Sequence, residues 1–168
     1  MLIAHAPAGY ITCRLLKPLA DRHHVKWRQF LFWGIFGALA PDLDMFYFLF
    51  VDQRQHLHHS YPSHWPVLWA VLLLLALPWS RWRPHLGLPL LVFALGGFIH
   101  MLLDTVVGYI EWLAPFDSSS YALFVIQPRY HPWWLNFVLH WTFGLELLLW
   151  VAAAWMWRRA PQGSSLGQ

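Results

Sequence analysis

Charge is what this chain has least of. Of its 168 residues only 11% are Asp, Glu, Lys or Arg, where a soluble domain carries about a quarter. The net charge of +3 is small and its basic residues are scattered, which argues against a nucleic-acid partner. A single cysteine, Cys13, excludes an internal disulfide framework and a cysteine-rich zinc module, and is assigned to packing. No nucleotide-phosphate glycine loop and no serine nucleophile elbow occurs. Met1 to Leu16 lacks the basic opening and the small-residue cleavage site of a secretory signal, so it is expected to be retained.

What fills the chain instead is apolar and aromatic. The hydrophobic fraction is 58%, and thirteen tryptophans suit a protein lying between water and lipid. A spanning helix needs about 20 mostly apolar residues. Phe30 to Val51, Trp65 to Trp79, Leu86 to Val107 and Trp133 to Trp157 approach or exceed that length, and Met1 to Leu16 is a weaker fifth candidate. The expected fold is all-α, a polytopic transmembrane bundle of four or five helices with a His-rich extracytoplasmic loop. One membrane domain is expected over residues 1–159, with a disordered tail at 160–168.

Basic residues give the orientation. Lys17, Arg22, Lys26 and Arg28 follow the first segment, Arg81 and Arg83 lie in the Ser80 to His85 loop, and Arg158 and Arg159 open the tail. The other two connections hold only Arg54 and Arg129. Basic loops stay cytoplasmic, so the C-terminus is expected inside. Counting depth at 1.5 Å per residue then puts His5, Asp42, Asp44, His100, Asp104 and His140 in the outer half of their segments. The loop carrying His56, His58, His59 and His64 is also outside.

Eleven histidines against eight carboxylates is an unusual ratio, and such groups in apolar segments are functional candidates. His100 and Asp104 are four apart and share a helix face, a spacing that suits a shared ion and equally a buried hydrogen bond. Asp42 and Asp44 are two apart, so they reach one site only if the helix breaks, and Pro41 supplies a break. The plainer reading of that pair is a helix ending near Leu39 with two solvated caps. Four histidines within nine residues of the loop are dense in the commonest metal ligand, but spacing does not select among them. His23, His24 and His85 fall on the inner side, and His140 and Glu146, six apart, face each other poorly.

These pieces resemble the YdjM-like family of bacterial inner-membrane proteins, described as membrane-bound metal-dependent hydrolases. The resemblance rests on His5, Leu39 to Asp44 (Leu-Ala-Pro-Asp-Leu-Asp), His59 with His64, Gly97 to Asp104, and Pro115-Phe116. It covers about the first two thirds of the chain. The family's usual His-Arg-Gly-x-Thr-His-Ser reads here His59-Ser-Tyr-Pro-Ser-His64-Trp, without the arginine. The resemblance implies metal ligation by Asp42, Asp44, His59, His64, His100 and Asp104, with His5 as a further member.

Such a nitrogen and oxygen set suits one five- or six-coordinate ion or a two-metal centre about 3.5–4 Å across. Zinc is the expected divalent metal, with manganese or iron as alternatives. Asp42 or Asp44, if free of the metal, is the expected base that takes a proton from the attacking water. The expected reaction is hydrolysis of an ester or phosphoester in a membrane lipid or lipid-linked substrate at the outer leaflet. Arg129, beside an aromatic run, and His140 are the expected substrate-binding groups. A non-catalytic metal binder for transport or sensing, and a scaffold with structural or pH-responsive histidines, are the other two classes.

Overall fold

The computed structural model describes residues 1–160, and within them the chain is all-α. α1 (His5–Arg22) is followed by α2 (Trp27–Leu39), a 3-10 turn at Pro41–Leu43 and the short α3 (Asp44–Phe50). Two more 3-10 turns, His58–Ser60 and Pro62–His64, lead into α4 (Pro66–Trp82) and then α5 (Pro84–Asp104). An irregular stretch precedes α6 (Trp134–Val138) and α7 (Phe143–Arg158). Of the expected tail, 161–168 lie outside the described residues. By length and composition α5 is able to cross a membrane, and α4 is a shorter apolar helix.

Several boundaries differ from the sequence reading. α1 runs on to Arg22, so Lys17 and Arg22 lie on its last turns rather than in a loop. There Lys17 Nζ bonds both oxygens of Asp21 at 2.7 Å, one turn away. Arg81 likewise belongs to α4, leaving Arg83 alone between two helices. The expected longest span, Trp133 to Trp157, is two helices. Between them His140 Nδ1 and Thr142 Oγ1 are bonded at 2.8 Å, and the amides of Phe143, Gly144 and Leu145 bond three residues back instead of four. The winding tightens there and the α-helical ladder is interrupted.

α5 sits in the middle, packed on α4, α2 and α1, while α1 also packs on α7. Glycine makes the α2–α5 contact possible. A Cβ at Gly37 would stand 2.1 Å from the Phe93 carbonyl oxygen, and one at Gly96 would stand 2.7 Å from Ala38 N. The apolar core gathers Cys13, Ala20, Val25, Phe30, Leu88 and Val92, from the middle and end of α1, the α1–α2 connection and the early parts of α2 and α5.

The opposite end of the same bundle is polar. α1 and α4 begin there, α2 and α5 end there, and the Pro41 and His58–His64 turns lie over it. α7 runs alongside α1 in the same direction, since Glu146 near its start bonds Leu2 and Ile3, and Trp150 bonds Ile3. Lys17, Arg22, Lys26, Arg28, Arg81, Arg83 and Arg158 therefore collect at the core end, away from the histidines.

Candidate metal centre

The close α2–α5 approach sets the first histidine. It brings the Ala38 carbonyl to 2.7 Å from His100 Nδ1, and both residues are fully buried. A carbonyl only accepts, so Nδ1 carries the proton. In the neutral ring Nε2 is then a lone pair, yet it faces Asp104 Oδ2 at 3.0 Å and Asp42 Oδ1 at 3.5 Å. Three lone-pair-bearing atoms repel one another unless a cation lies among them.

His64 repeats the arrangement from the loop. Trp65 Nε1 donates to the Ser60 carbonyl at 3.1 Å and Trp69 Nε1 to the Ser63 carbonyl at 2.8 Å, which ties the turns down on α4. His64 Nδ1 meets Asp44 Oδ2 at 2.6 Å, and Ser63 Oγ donates to the same oxygen at 2.6 Å. Nε2 of His64 stands 3.8 Å from Asp42 Oδ1 and 3.8 Å from Asp104 Oδ2, too far for a hydrogen bond. Both Nε2 atoms, of His64 and of His100, are buried without a hydrogen-bond partner.

Asp104 is the hub. Its Oδ2 faces His100, His64 and, at 3.5 Å, His59 Nε2. Its Oδ1 is 3.2 Å from His5 Nε2 and pairs with the α-amino group of Met1. His5 also stacks on His100, with ring centroids 3.7 Å apart. A Cβ at Gly108 would stand 2.6 Å from His59 Cε1, so the bare glycine is what lets His59 close on Asp104.

Two overlapping donor groups result: Asp42, His64, His100 and Asp104, and His58, His59 and His64. Around a tetrahedral ion with bonds of about 2.0–2.1 Å, neighbouring donors stand roughly 3.3 Å apart. The four donor contacts of the first group run from 3.0 to 3.8 Å. A mixed imidazole and carboxylate set with two orphaned ring nitrogens fits a divalent cation.

All seven residues named as ligands from the sequence thus join one cluster, but not in equal positions. Asp44 stands behind His64 at its other ring nitrogen, outside the four-donor group, because the 3-10 turn at Pro41 turns Asp42 and Asp44 towards opposite edges of one imidazole. Carboxylates behind metal-binding histidines fix tautomer and ring orientation. Asp44→Ala is therefore expected to weaken binding of zinc by about 10–100-fold without removing a donor, as read by competition with a chelating dye.

The loop spacing left four histidines equivalent, and the structure separates them. His58 lies 4.0 Å from His59 between ring centroids and its Nδ1 is 3.8 Å from Asp44 Oδ1. His56 is outside the cluster, exposed and paired with Asp52 at 2.8 Å. Arg129 and His140 line a cavity of about 290 Å³ of their own. Asn136 shapes it by bonding the backbone of Arg129, Tyr130 and Trp133. Among the described residues no hydrogen bond or ion pair joins Arg129 or His140 to the cluster. Glu146 was not foreseen in its role: its two oxygens accept from Leu2 N at 3.2 Å and Ile3 N at 2.6 Å, holding the segment ahead of His5 over the site. No spacing rule couples positions so far apart.

The loop histidines are tuned in opposite directions. Burial lowers the His64 pKa, but the facing carboxylates of Asp42, Asp44 and Asp104, of which Asp44 is hydrogen-bonded to it, outweigh that and raise it to about 9. Burial takes His59 down to about 3, with Asp104 opposing and the neighbouring His58 and His64 reinforcing the fall. At neutral pH the metal-free protein thus carries the second, charging ring proton on His64 and not on His59. A cation at His64 must expel that proton, so zinc affinity is expected to rise about tenfold per pH unit up to about pH 9. Calorimetry in two buffers of different ionisation enthalpy reads the released proton directly, and none released would contradict the assignment.

Residues 1–163 match the model of a family described as YdjM inner membrane protein. No curated protein and no solved structure matches the chain significantly.

Proposed function

Because this chain belongs to the YdjM inner membrane protein family, we propose that it is a multi-pass membrane hydrolase whose His/Asp cluster holds a divalent metal. Zinc suits the donor set best, with manganese or iron as alternatives and one or two ions. The substrate class is an ester or phosphoester in a lipid or lipid-linked molecule at the outer leaflet. One observation carries the reading: two buried Nε2 atoms without partners, His64 and His100, converge on the carboxylates of Asp42 and Asp104.

Two features support the membrane arrangement. α4 and α7 present Leu74, Leu75, Leu148 and Val151 well exposed, as lipid-facing surfaces do. Most of the basic residues, Arg54 and Arg129 excepted, lie at the end opposite the cluster, which by the positive-inside rule is cytoplasmic. The C-terminus is then inside and the cluster faces the outer leaflet, with α1, α2, α4, α5 and α7 as the crossing helices.

A divalent cation held here would polarise the bond under attack and lower the pKa of a water towards 7. The chain's own residues divide the remaining work. His100 and His64 are fixed in orientation by Ala38 and Asp44. The Asp42 side chain is 39% exposed where His64, His100 and Asp104 are at 0–2%, so the cluster opens on Asp42. Asp42 faces the two histidines through Oδ1, which leaves its other oxygen at that opening to accept a proton from water. Transport would need a polar route to the inner side, and Glu146 supplies none, since it lies at the outer end and is engaged by Leu2 and Ile3.

The test is turnover of phospholipids and carboxylic-ester lipids in mixed micelles by protein loaded with zinc. Wild type is expected to release product, and Asp42→Asn to lose about 10²–10⁴-fold per bound metal. Fully metal-loaded wild type that leaves both lipid classes intact would overturn the hydrolase reading.

A further inference from the structure

A second cavity, of about 540 Å³, opens beside the cluster between α3 and the His58–His64 turns. Asp44 and Asp52 line it, together with Tyr47 and Tyr61. The side chains of Asp44 and Asp52 are only 8% and 9% exposed. No lysine or arginine is among the lining residues; His56 lines it too and bonds both oxygens of Asp52, while Asp44 keeps one oxygen without a partner, so the cavity favours a cation.

Two orphaned atoms point to a ligand rather than to internal pairing. Asp44 Oδ1 is buried without a hydrogen-bond partner, and His58 Nδ1 is too far from it, at 3.8 Å, to serve. The Tyr61 hydroxyl is buried as well, without a formed hydrogen bond but turned towards the Asp52 carboxylate. The rings of Tyr47 and Tyr61 meet edge to face, with centroids 5.4 Å apart, forming an aromatic corner beside the two carboxylates. Carboxylates and tyrosine faces together are the groups that hold an organic ammonium: three N–H donors for the oxygens and a positive charge for the rings.

We propose that this cavity binds the primary ammonium of a lipid headgroup, held by Asp44 and Asp52 against the rings of Tyr47 and Tyr61. The proposal deepens the reading above and rests on it for calling the lipid a substrate. Asp44 joins the two sites, with Oδ2 on His64 and Oδ1 free for the headgroup. A headgroup seated there lies next to the metal centre, which suits a phosphoester a short chain away from its amine. Asp52 remains ionised throughout the neutral range, since the hydrogen bond from His56 keeps its carboxyl down at about 2.

The experiment is binding of pyrene-labelled phosphatidylethanolamine and phosphatidylglycerol to the zinc-loaded protein in detergent. Wild type is expected to prefer phosphatidylethanolamine by at least about tenfold. Asp52→Asn and, separately, Tyr61→Leu are expected to bring the ratio close to one while zinc content stays at the wild-type level. Equal binding of the two lipids by wild type would overturn the proposal, and so would a preference that survives both variants. Ethanolamine at millimolar concentration serves as competitor: full displacement assigns a soluble amine as the source, and no displacement assigns the lipid. Displacement by magnesium but not by ethanolamine would overturn the amine site. His100→Ala separates the two readings. A variant that has lost its zinc yet still prefers phosphatidylethanolamine shows that the amine site stands without the metal. Wild type that binds zinc and prefers phosphatidylethanolamine but hydrolyses neither lipid leaves this site standing and the hydrolase reading fallen, and zinc-loaded wild type that hydrolyses lipid without headgroup preference does the reverse.

Discussion

Asp104→Asn is expected to strip the centre of its metal and to destabilise the protein at the same time. The substitution keeps the side chain's volume, so a cavity is not the cause. What goes is the charge that faces His5, His59, His64, His100 and the Met1 amine at once. Removing one partner of a buried charged cluster costs about 3–5 kcal/mol, and a carboxamide is a far poorer ligand than a carboxylate. Elemental analysis of detergent-purified protein is expected to show bound zinc falling to below about a tenth of the wild-type content, with a lower unfolding temperature. His100→Ala gives a second reading should the first variant fail to fold, because it removes a donor and leaves the hub charge in place. Wild-type zinc content in both variants would rule out the cluster as the metal centre.

Gly37→Ala, which removes no donor atom, is expected to do comparable damage by a different route. The added Cβ meets the Phe93 carbonyl oxygen at 2.1 Å and the Phe93 Cα at 2.7 Å, and backbone has no rotamer to yield. Overpacking of this kind costs about 1–3 kcal/mol and more where nothing relaxes. The remaining relief is for α2 to move off α5, which draws the Ala38 carbonyl away from His100 Nδ1. Stability and zinc affinity are therefore expected to fall together, measured by thermal unfolding and by zinc titration on the same preparation. Gly144→Ala in α7 is the comparison, since nothing stands within 4 Å of its added Cβ. That change is expected to leave both quantities near wild type. A Gly37→Ala protein with unaltered unfolding and affinity would show that the α2–α5 contact does not set the site.

Both predictions join positions that are distant along the chain. Asp104 gathers groups from α1, the His loop and α5, and the α2–α5 contact acts through a main-chain carbonyl, which no side-chain pattern records. The His100–Asp104 spacing and the Pro41 break, by contrast, were readable, because each is settled within a turn or two of helix. The loop histidines illustrate the divide within one segment. Their density marked the region, yet His58, His59 and His64 face inward and His56 outward only because Trp65 and Trp69 pin successive 3-10 turns against α4. The break at His140–Thr142 escaped the reading for a similar reason: hydropathy is continuous there, and a side-chain hydrogen bond tightens the winding.

Composition and hydropathy by themselves determined the membrane class, the all-α fold and the expectation that histidines and aspartates share one end, since those follow from local hydrophobicity and from rise per residue. The tertiary structure alone decided which atoms meet. Asp44 stands behind His64 rather than beside Asp42, Glu146 holds the segment before His5, and Arg129 and His140 have a cavity apart. Rotation and separation of packed helices set those outcomes, through glycine contacts of a few ångströms that the order of residues does not express.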